Sequence, residues 1–291
     1  MVAILGGLGA ALSWAIATLA SSRTSRMIGP MSVLGWVMVV GLVAAIVPAA
    51  LARPVDLGLP EVAGLIALGL CQNFGLLLAY YALQVGRVSI VAPIVATEGA
   101  LAAALSIVLG EPLALSTALI LAAIAAGVVL ASVERPREDR AVDPTRTARD
   151  LAHPQRAILL AIAAAATFSI GLVLSGRLGA GGMPPAWVIV ASRTVGIVLI
   201  ALPLIVTRRF RLTRPALPLV VLAGILEAVG SAIYVVAASS DIAVAAVLSS
   251  QFAAIAAVGG FLLFGERLQR VQVAGVAVVA IGVTALSAVR P

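Results

Sequence analysis

Three ionised side chains stand where ionised side chains are costly: Glu98, Arg193 and Glu227 each fall well inside a long apolar stretch of this 291-residue chain. A charge at the centre of a membrane helix costs roughly 2.5 to 3.5 kcal/mol on insertion scales, so three cost about 8 to 10 kcal/mol before pairing. Each is therefore expected to face the interior of a helix bundle. Arg193 and Glu227 lie at the same depth in consecutive stretches. They read either as a structural ion pair or as a site whose arginine fork meets a substrate carboxylate or phosphate. Glu98 has no arginine at a matching place in its own half of the chain, which suits it to proton coupling or to a substrate amine.

What is missing narrows the chemistry. All 19 basic residues are arginine, the one histidine (His153) lies in the most polar loop, and the one cysteine (Cys71) lies inside an apolar stretch. Without lysine there is no Walker A lysine, Schiff base or lysine general base. One histidine and one cysteine cannot build a metal cluster, a nucleophile pair within the bundle or an intramolecular disulfide. An enzyme is not expected, nor a metal or cofactor. The net charge of +7 and the pI near 11.1 do not point to nucleic acid, because the arginines sit in separated loops without an aromatic stacking face.

The elements that must position these residues follow from hydropathy. With 62% hydrophobic and 11% charged residues and a mean hydropathy of +1.18, the chain reads as an all-α polytopic membrane protein in contact with lipid. A bilayer core of about 30 Å needs roughly 20 apolar residues. That ruler predicts ten spans, near residues 2–20, 31–52, 62–85, 88–109, 115–132, 157–176, 185–207, 216–237, 242–264 and 271–288. The first lacks a positive n-region and reads as a helix of the mature protein. Fifteen arginines lie in the odd-numbered loops, against Arg53, Arg177 and Arg290 on the other side. This places the odd loops in the cytoplasm and both termini outside. Residues 133–156 form a charged, solvated linker, predicted cytoplasmic.

The chain repeats itself. At an offset of 155, Gly41 meets Gly196, Pro48 meets Pro203, Gly69 meets Gly224, Gly75 meets Gly230, Gly110-Glu111 meets Gly265-Glu266 and Gly127 meets Gly282. At 154 the first helices align as well, with Pro30 on Pro184 and Ser13-Trp14 on Thr167-Phe168. The expected units are residues 1–132 and 157–291, five helices each, so the second enters the membrane inverted. Inverted repeats around a midplane site are the architecture of secondary transporters.

The repeat register brings further polar residues into correspondence. Pro93, five residues before Glu98, removes a helix hydrogen bond and is expected to open or kink its helix. In the matching stretch of the second unit, Ser249, Ser250 and Gln251 replace Ile94, Val95 and Ala96. The fourth and ninth helices thus read as facing walls of a polar cavity; the alternative is serines bonding back to their own helix. Gln72 and Asn73 correspond to Glu227 and Ala228, which suggests interhelical hydrogen bonding first and cavity lining second. Trp14, Phe168, Tyr80, Tyr81 and Tyr234 offer surfaces for a solute, although aromatics in bundles more often serve as core or interfacial anchors. Glu111, Glu266 and Asp241 read as caps of the helices that follow them, the glycines Gly110 and Gly265 allowing the turn.

Leu109-Gly110-Glu111-Pro112-Leu113 and Phe264-Gly265-Glu266-Arg267-Leu268, with Trp14 and Arg193, resemble the drug/metabolite transporter superfamily, specifically its ten-helix EamA-like branch. Met38 stands where an arginine matching Arg193 would be expected, and Ala253 where such proteins often carry proline. The resemblance implies export or exchange of small metabolites and fixes no substrate. The leading expectation is a secondary transporter in a bacterial cytoplasmic membrane that exports an amphoteric solute such as an amino acid, with no cofactor and with protons as the coupling ion. Export of lipophilic cations is the second reading, and a non-transporting membrane protein the third.

Overall fold

The computed structural model describes residues 1–53, 55, 57–85, 91, 94–132, 154–252, 254–255 and 270–289. Among them every regular element is helical. Ten helices follow one another: α1 (Val2–Ile28), α2 (Pro30–Leu51), α3 (Leu59–Val85), α4 (Glu98–Val108), α5 (Leu115–Ser132), α6 (Pro154–Ala180), α7 (Pro185–Gly196), α8 (Leu217–Ala238), α9 (Ile242–Ser249) and α10 (Arg270–Val289). α7 continues through a π-helical turn, Ile197–Ala201, into a short helical tail, Leu202–Val206. Six of these, α1, α2, α3, α6, α7 with its extension, and α8, are long and apolar enough to cross a bilayer. The chain is an all-α polytopic membrane protein.

Local chemistry sets the ends. Gly29, at φ 82°, closes α1, and Pro30 opens α2 at its first position, where a missing N–H costs nothing. α1 and α6 run past their apolar stretches, because a helix can project beyond the hydrocarbon while its own hydrogen bonds continue. The fourth and ninth spans depart from the expected continuous helices. Turns at Ala96-Thr97 and Ser250-Gln251 interrupt them at nearly matching places. Thr97 N donates to Ile94 O at 3.1 Å and Gln251 N to Leu248 O at 3.2 Å, three residues back instead of four. Side chains bond carbonyls beside the breaks: Thr97 Oγ1 donates to Ile94 O (2.7 Å), the acceptor of its own amide, and Ser250 Oγ to Val247 O (2.8 Å), one residue before the acceptor of the Gln251 amide. Such bonds favour tight turns over the α ladder. Pro93, Ala253, Gly265, Glu266 and most of the linker, including His153, lie outside the described residues.

The packing is reciprocal between the two halves. α1 packs along α8 as α6 packs along α3, while α2 meets α7, α4 meets α9 and α5 meets α10. The correspondence extends to single residues. Gly69 abuts Val195, and Gly224 abuts Val40, 155 positions earlier. Gly75 lies against Phe168, and Gly230 against Trp14. Gly127 lies against Val279, and Gly282 against Ile124. A Cβ at these glycines would stand 2.4 to 3.0 Å from its neighbour, so the helices approach as only small residues allow. The one-residue slip of the repeat falls in α7, and a π turn accommodates an extra helical residue in the same helix.

Loop contacts sort into two ends. At one, Arg53 donates to Gly182 O (3.0 Å), Arg177 to Leu109 O (2.9 Å), and Glu111 receives the amides of Ile242 and Ala243. At the other, Ser32 bonds the Arg209–Arg211 backbone, Trp36 donates to Arg211 O (3.0 Å), and Trp36 stacks on Phe210 at 4.5 Å.

Candidate functional site

Among the described residues, Arg193, on α7, is the most deeply placed cation. Its side chain is 4% exposed, against 31% for Glu227 of α8, its ion-pair partner. The guanidinium reaches Glu227 Oε2 and Ser231 Oγ (3.3 Å) through Nη2, and Met38 Sδ (3.4 Å) through Nη1. Its Nε is buried without a hydrogen-bond partner. Gly41 of α2 makes room: a Cβ there would lie 3.1 Å from both Cδ and Nε of Arg193. On the repeat mate Gly196, a Cβ would meet Met38 Sδ and Asn73 Oδ1, each at 2.6 Å. Arg193 and Met38 are therefore equivalent residues of the two halves, touching each other where the halves meet.

Asn73 extends this cluster into α3. Its Nδ2 donates to Gly69 O (2.8 Å) within α3 and to Ser192 O (3.0 Å) on α7, leaving Oδ1 buried and unpaired. Gln72, one residue earlier, turns toward α6, where its Cγ would lie 3.2 Å from a Cβ on Gly171. Beside the arginine, α2, α7 and α8 enclose an apolar cleft of about 350 Å³ bordered by Ala45, Pro48, Pro184, Ile189, Ala228 and Val229. Ala45, Ile189 and Ala228 pack together, one helical turn or less along the chain from Gly41, Arg193 and Glu227.

A second group gathers around Trp14 of α1. Trp14 Nε1 donates to the Glu227 carbonyl (3.3 Å), and its ring lies 5.8 Å from Tyr234 and 6.4 Å, edge-on, from Phe252. Tyr234 is buried and donates its hydroxyl to Leu172 O (3.1 Å). Glu98, 8% exposed, lies within electrostatic reach of Tyr234. It occupies the first turn of α4, directly after the Ala96-Thr97 break, so the positive end of the half-helix dipole falls on its carboxylate. Among the described residues its carboxylate has no hydrogen-bond or ion-pair partner. α4 and α9 touch where Gly99 meets Ala246 O and Ser250 Oγ, positions at which a Cβ would stand 2.5 and 2.7 Å away. Ser249 and Ser250 bond back to Ala246 O and Val247 O, as does Gln251 Nε2 to Val247 O, while Gln251 Oε1 stays buried and unpaired. The two helices meet directly at Gly99, not across an open space there.

A profile of the EamA-like transporter family matches residues 1–133 and again 155–288. The chain belongs to the EamA-like transporter family. Family members are membrane transporters of small solutes, which gives this one a small-molecule substrate and a lipid surround. A solved structure described only as "Crystal structure of protein" is similar over 99% of this chain and 96% of its own, with a TM-score of 0.76 and 20% identity. That likeness concerns the fold alone. No curated protein matches the sequence.

In this EamA-like transporter the structure joins Arg193 to Glu227, and Trp14 to Tyr234. It sets Gln72 apart from both groups. Tyr81 is exposed on the outer surface of α3 at 56%, so it does not join the aromatic cluster. Glu111 differs from its expected role: its oxygens receive Ile242 N (2.7 Å) and Ala243 N (3.3 Å), capping α9 of the other half and not α5, the helix that follows it. Gly110, at φ 95°, makes the turn that carries it there. Asp241 caps α9 as its own N-cap, Oδ1 accepting from Val244 N at 2.9 Å. Ser231 was not among the sequence candidates. Its signal was its place one turn after Glu227, on the same face of α8.

Proposed function

We propose that the protein is a secondary transporter that exports a small amphoteric metabolite, an amino acid or a close relative, by alternating access of the two halves around a midplane site. The observation that carries this reading is Arg193: a nearly inaccessible guanidinium at the meeting of the halves, with an unpartnered Nε–H and a partner acid more exposed than itself. A fixed fork of this kind suits a carboxylate. Glu227, Glu98, Asn73 and Gln251 supply oxygens for an amine, and Trp14 with Tyr234 a surface for a side chain. The arginine-rich loops support a cytoplasmic placement of the linker and of the loop around Arg209. The lysine-free, alanine-rich composition supports a bacterial cytoplasmic membrane.

Thermal-shift screening of the purified protein against amino acids, organic anions, nucleosides, sugars and lipophilic cations tests the reading, since a ligand of the folded state raises Tm by mass action. Stabilisation by amino acids that is lost in Arg193→Ala is the expected result. One observation favours a second reading: Ala102, one turn after Glu98, packs in the cluster that holds Tyr234 and Trp14, which sets an acid beside aromatics, a setting that suits a lipophilic cation. Stabilisation by hydrophobic cations, lost in Glu98→Gln and kept in Arg193→Ala, would replace the first reading with the second.

A further inference from the structure

Arg193 and Glu227 are unequal partners. The arginine is held by Met38 Sδ, Ser231 Oγ and the close wall of Gly41, whereas the side chain of Glu227 has, among the described residues, the arginine as its one charged contact and is the more exposed of the two. Glu227 engages only Nη2 through Oε2. The neighbouring Nε–H is left without an acceptor, although the Nε and Nη2 edge is one that a carboxylate or a tetrahedral oxyanion spans with two parallel bonds. The chain therefore offers its guanidinium a poorer anion than a substrate can.

We infer that Glu227 is a resident stand-in for the anionic group of the substrate: the incoming anion takes the Nε/Nη2 edge of Arg193, and the displaced Glu227 carboxylate takes up one proton. The exchange balances in charge and in atoms. An arginine–glutamate pair, a free anion and a proton become an arginine–anion pair and a neutral carboxylic acid, and no bond other than O–H is formed. Electroneutrality drives the proton step, because a bare carboxylate left inside an apolar bundle is costly. Among the described residues the surroundings offer no substitute cation: α1 presents Trp14, α2 presents Gly41 and Met38, and α7 presents Arg193 itself. α6 and α9 carry charge at their ends, at Arg156, Arg177 and Asp241, and Glu98 of α4 is an acid, one turn before Ala102, which packs with Tyr234 two turns along α8 from Glu227. The inference rests on the transport reading above and assigns the coupling to Glu227.

The test uses the full chain in detergent with acetate and methanesulfonate as probes, the second chosen because it does not titrate. Addition of either anion to wild-type protein in weakly buffered solution should withdraw about one proton per chain from the medium, and its Kd should rise about tenfold per pH unit over the range where uptake is seen. Glu227→Gln should bind both anions more tightly, without proton uptake or pH dependence. Arg193→Ala should bind neither. Wild-type uptake requires no variant, so misfolding of Glu227→Gln leaves the proposal testable. Proton uptake that persists in Glu227→Gln, wild-type binding without uptake, or no binding of either anion to wild type and Glu227→Gln would each overturn it. Failure of amino acids to stabilise the protein, with exchange of acetate intact, would remove the proposed substrate and leave the exchange standing.

Discussion

At the scale of single residues, the close approach of α4 and α9 depends on Gly99. A Cβ at this position would lie 2.5 Å from the Ala246 carbonyl, a backbone atom that cannot swing aside. Gly99→Ala should therefore destabilise the protein by about 1–3 kcal/mol, the usual penalty of overpacking, and lower Tm in detergent. Gly9→Ala is the control. Its Cβ would meet only Ile233 at 3.4 Å, ordinary contact, and the gain in helix propensity of up to about 1 kcal/mol should leave Tm unchanged or higher. Arg193→Lys keeps the charge but loses the fork, so it should weaken anion binding as far as a neutral substitution does, read as Kd for methanesulfonate. The buried charges were legible in the sequence, because the hydropathy around Arg193 and Glu227 leaves an interior face as their only tolerable place. Their pairing was one of two open readings. The sulfur contact of Met38 was not legible, since it depends on how the halves meet.

At the scale of elements, α9 shows a helix start assembled from both halves. Glu111 takes the amides of Ile242 and Ala243, Asp241 takes that of Val244, and the ladder itself begins with Ala245 N on Asp241 O at 3.1 Å. The donors that a helix start leaves open are thereby met. Asp241→Ala should cost about 1 kcal/mol. Glu111→Ala, which strips two amides and a contact between halves, should lower Tm further; equal or smaller loss would show that water replaces the carboxylate. The apolar runs revealed where helices lie because hydropathy reports burial in lipid directly. The breaks at Ala96-Thr97 and Ser250-Gln251 escaped that reading. They coincide with hydroxyl groups bonded to single carbonyls, a local feature that a window of twenty residues averages away. Glu111 could be read as a cap, but which helix it caps is decided by tertiary packing.

At the scale of the whole molecule, the offset of 155 residues predicted more than duplication. Gly69 with Val195 and Gly224 with Val40 are the same contact made twice with the halves exchanged. The ends of the bundle can be tested by labelling from either side of a sealed membrane. Arg53→Cys and Arg177→Cys should react with an impermeant maleimide from one side and Arg209→Cys from the other, with Arg209→Cys on the cytoplasmic side if arginine bias sets orientation. Labelling of all three from the same side would contradict the spanning topology. The meeting of Arg193 with Met38 carries a last consequence. In a carrier whose halves trade conformations, perfectly matched halves would make the two facing states equal in energy. Here one half brings a cation and the other a thioether to the shared position, so trading roles does not restore the same contacts. On the alternating-access reading, the empty protein is therefore expected to favour one facing state, and this resting bias, which needs no bound substrate, should shrink in Arg193→Met.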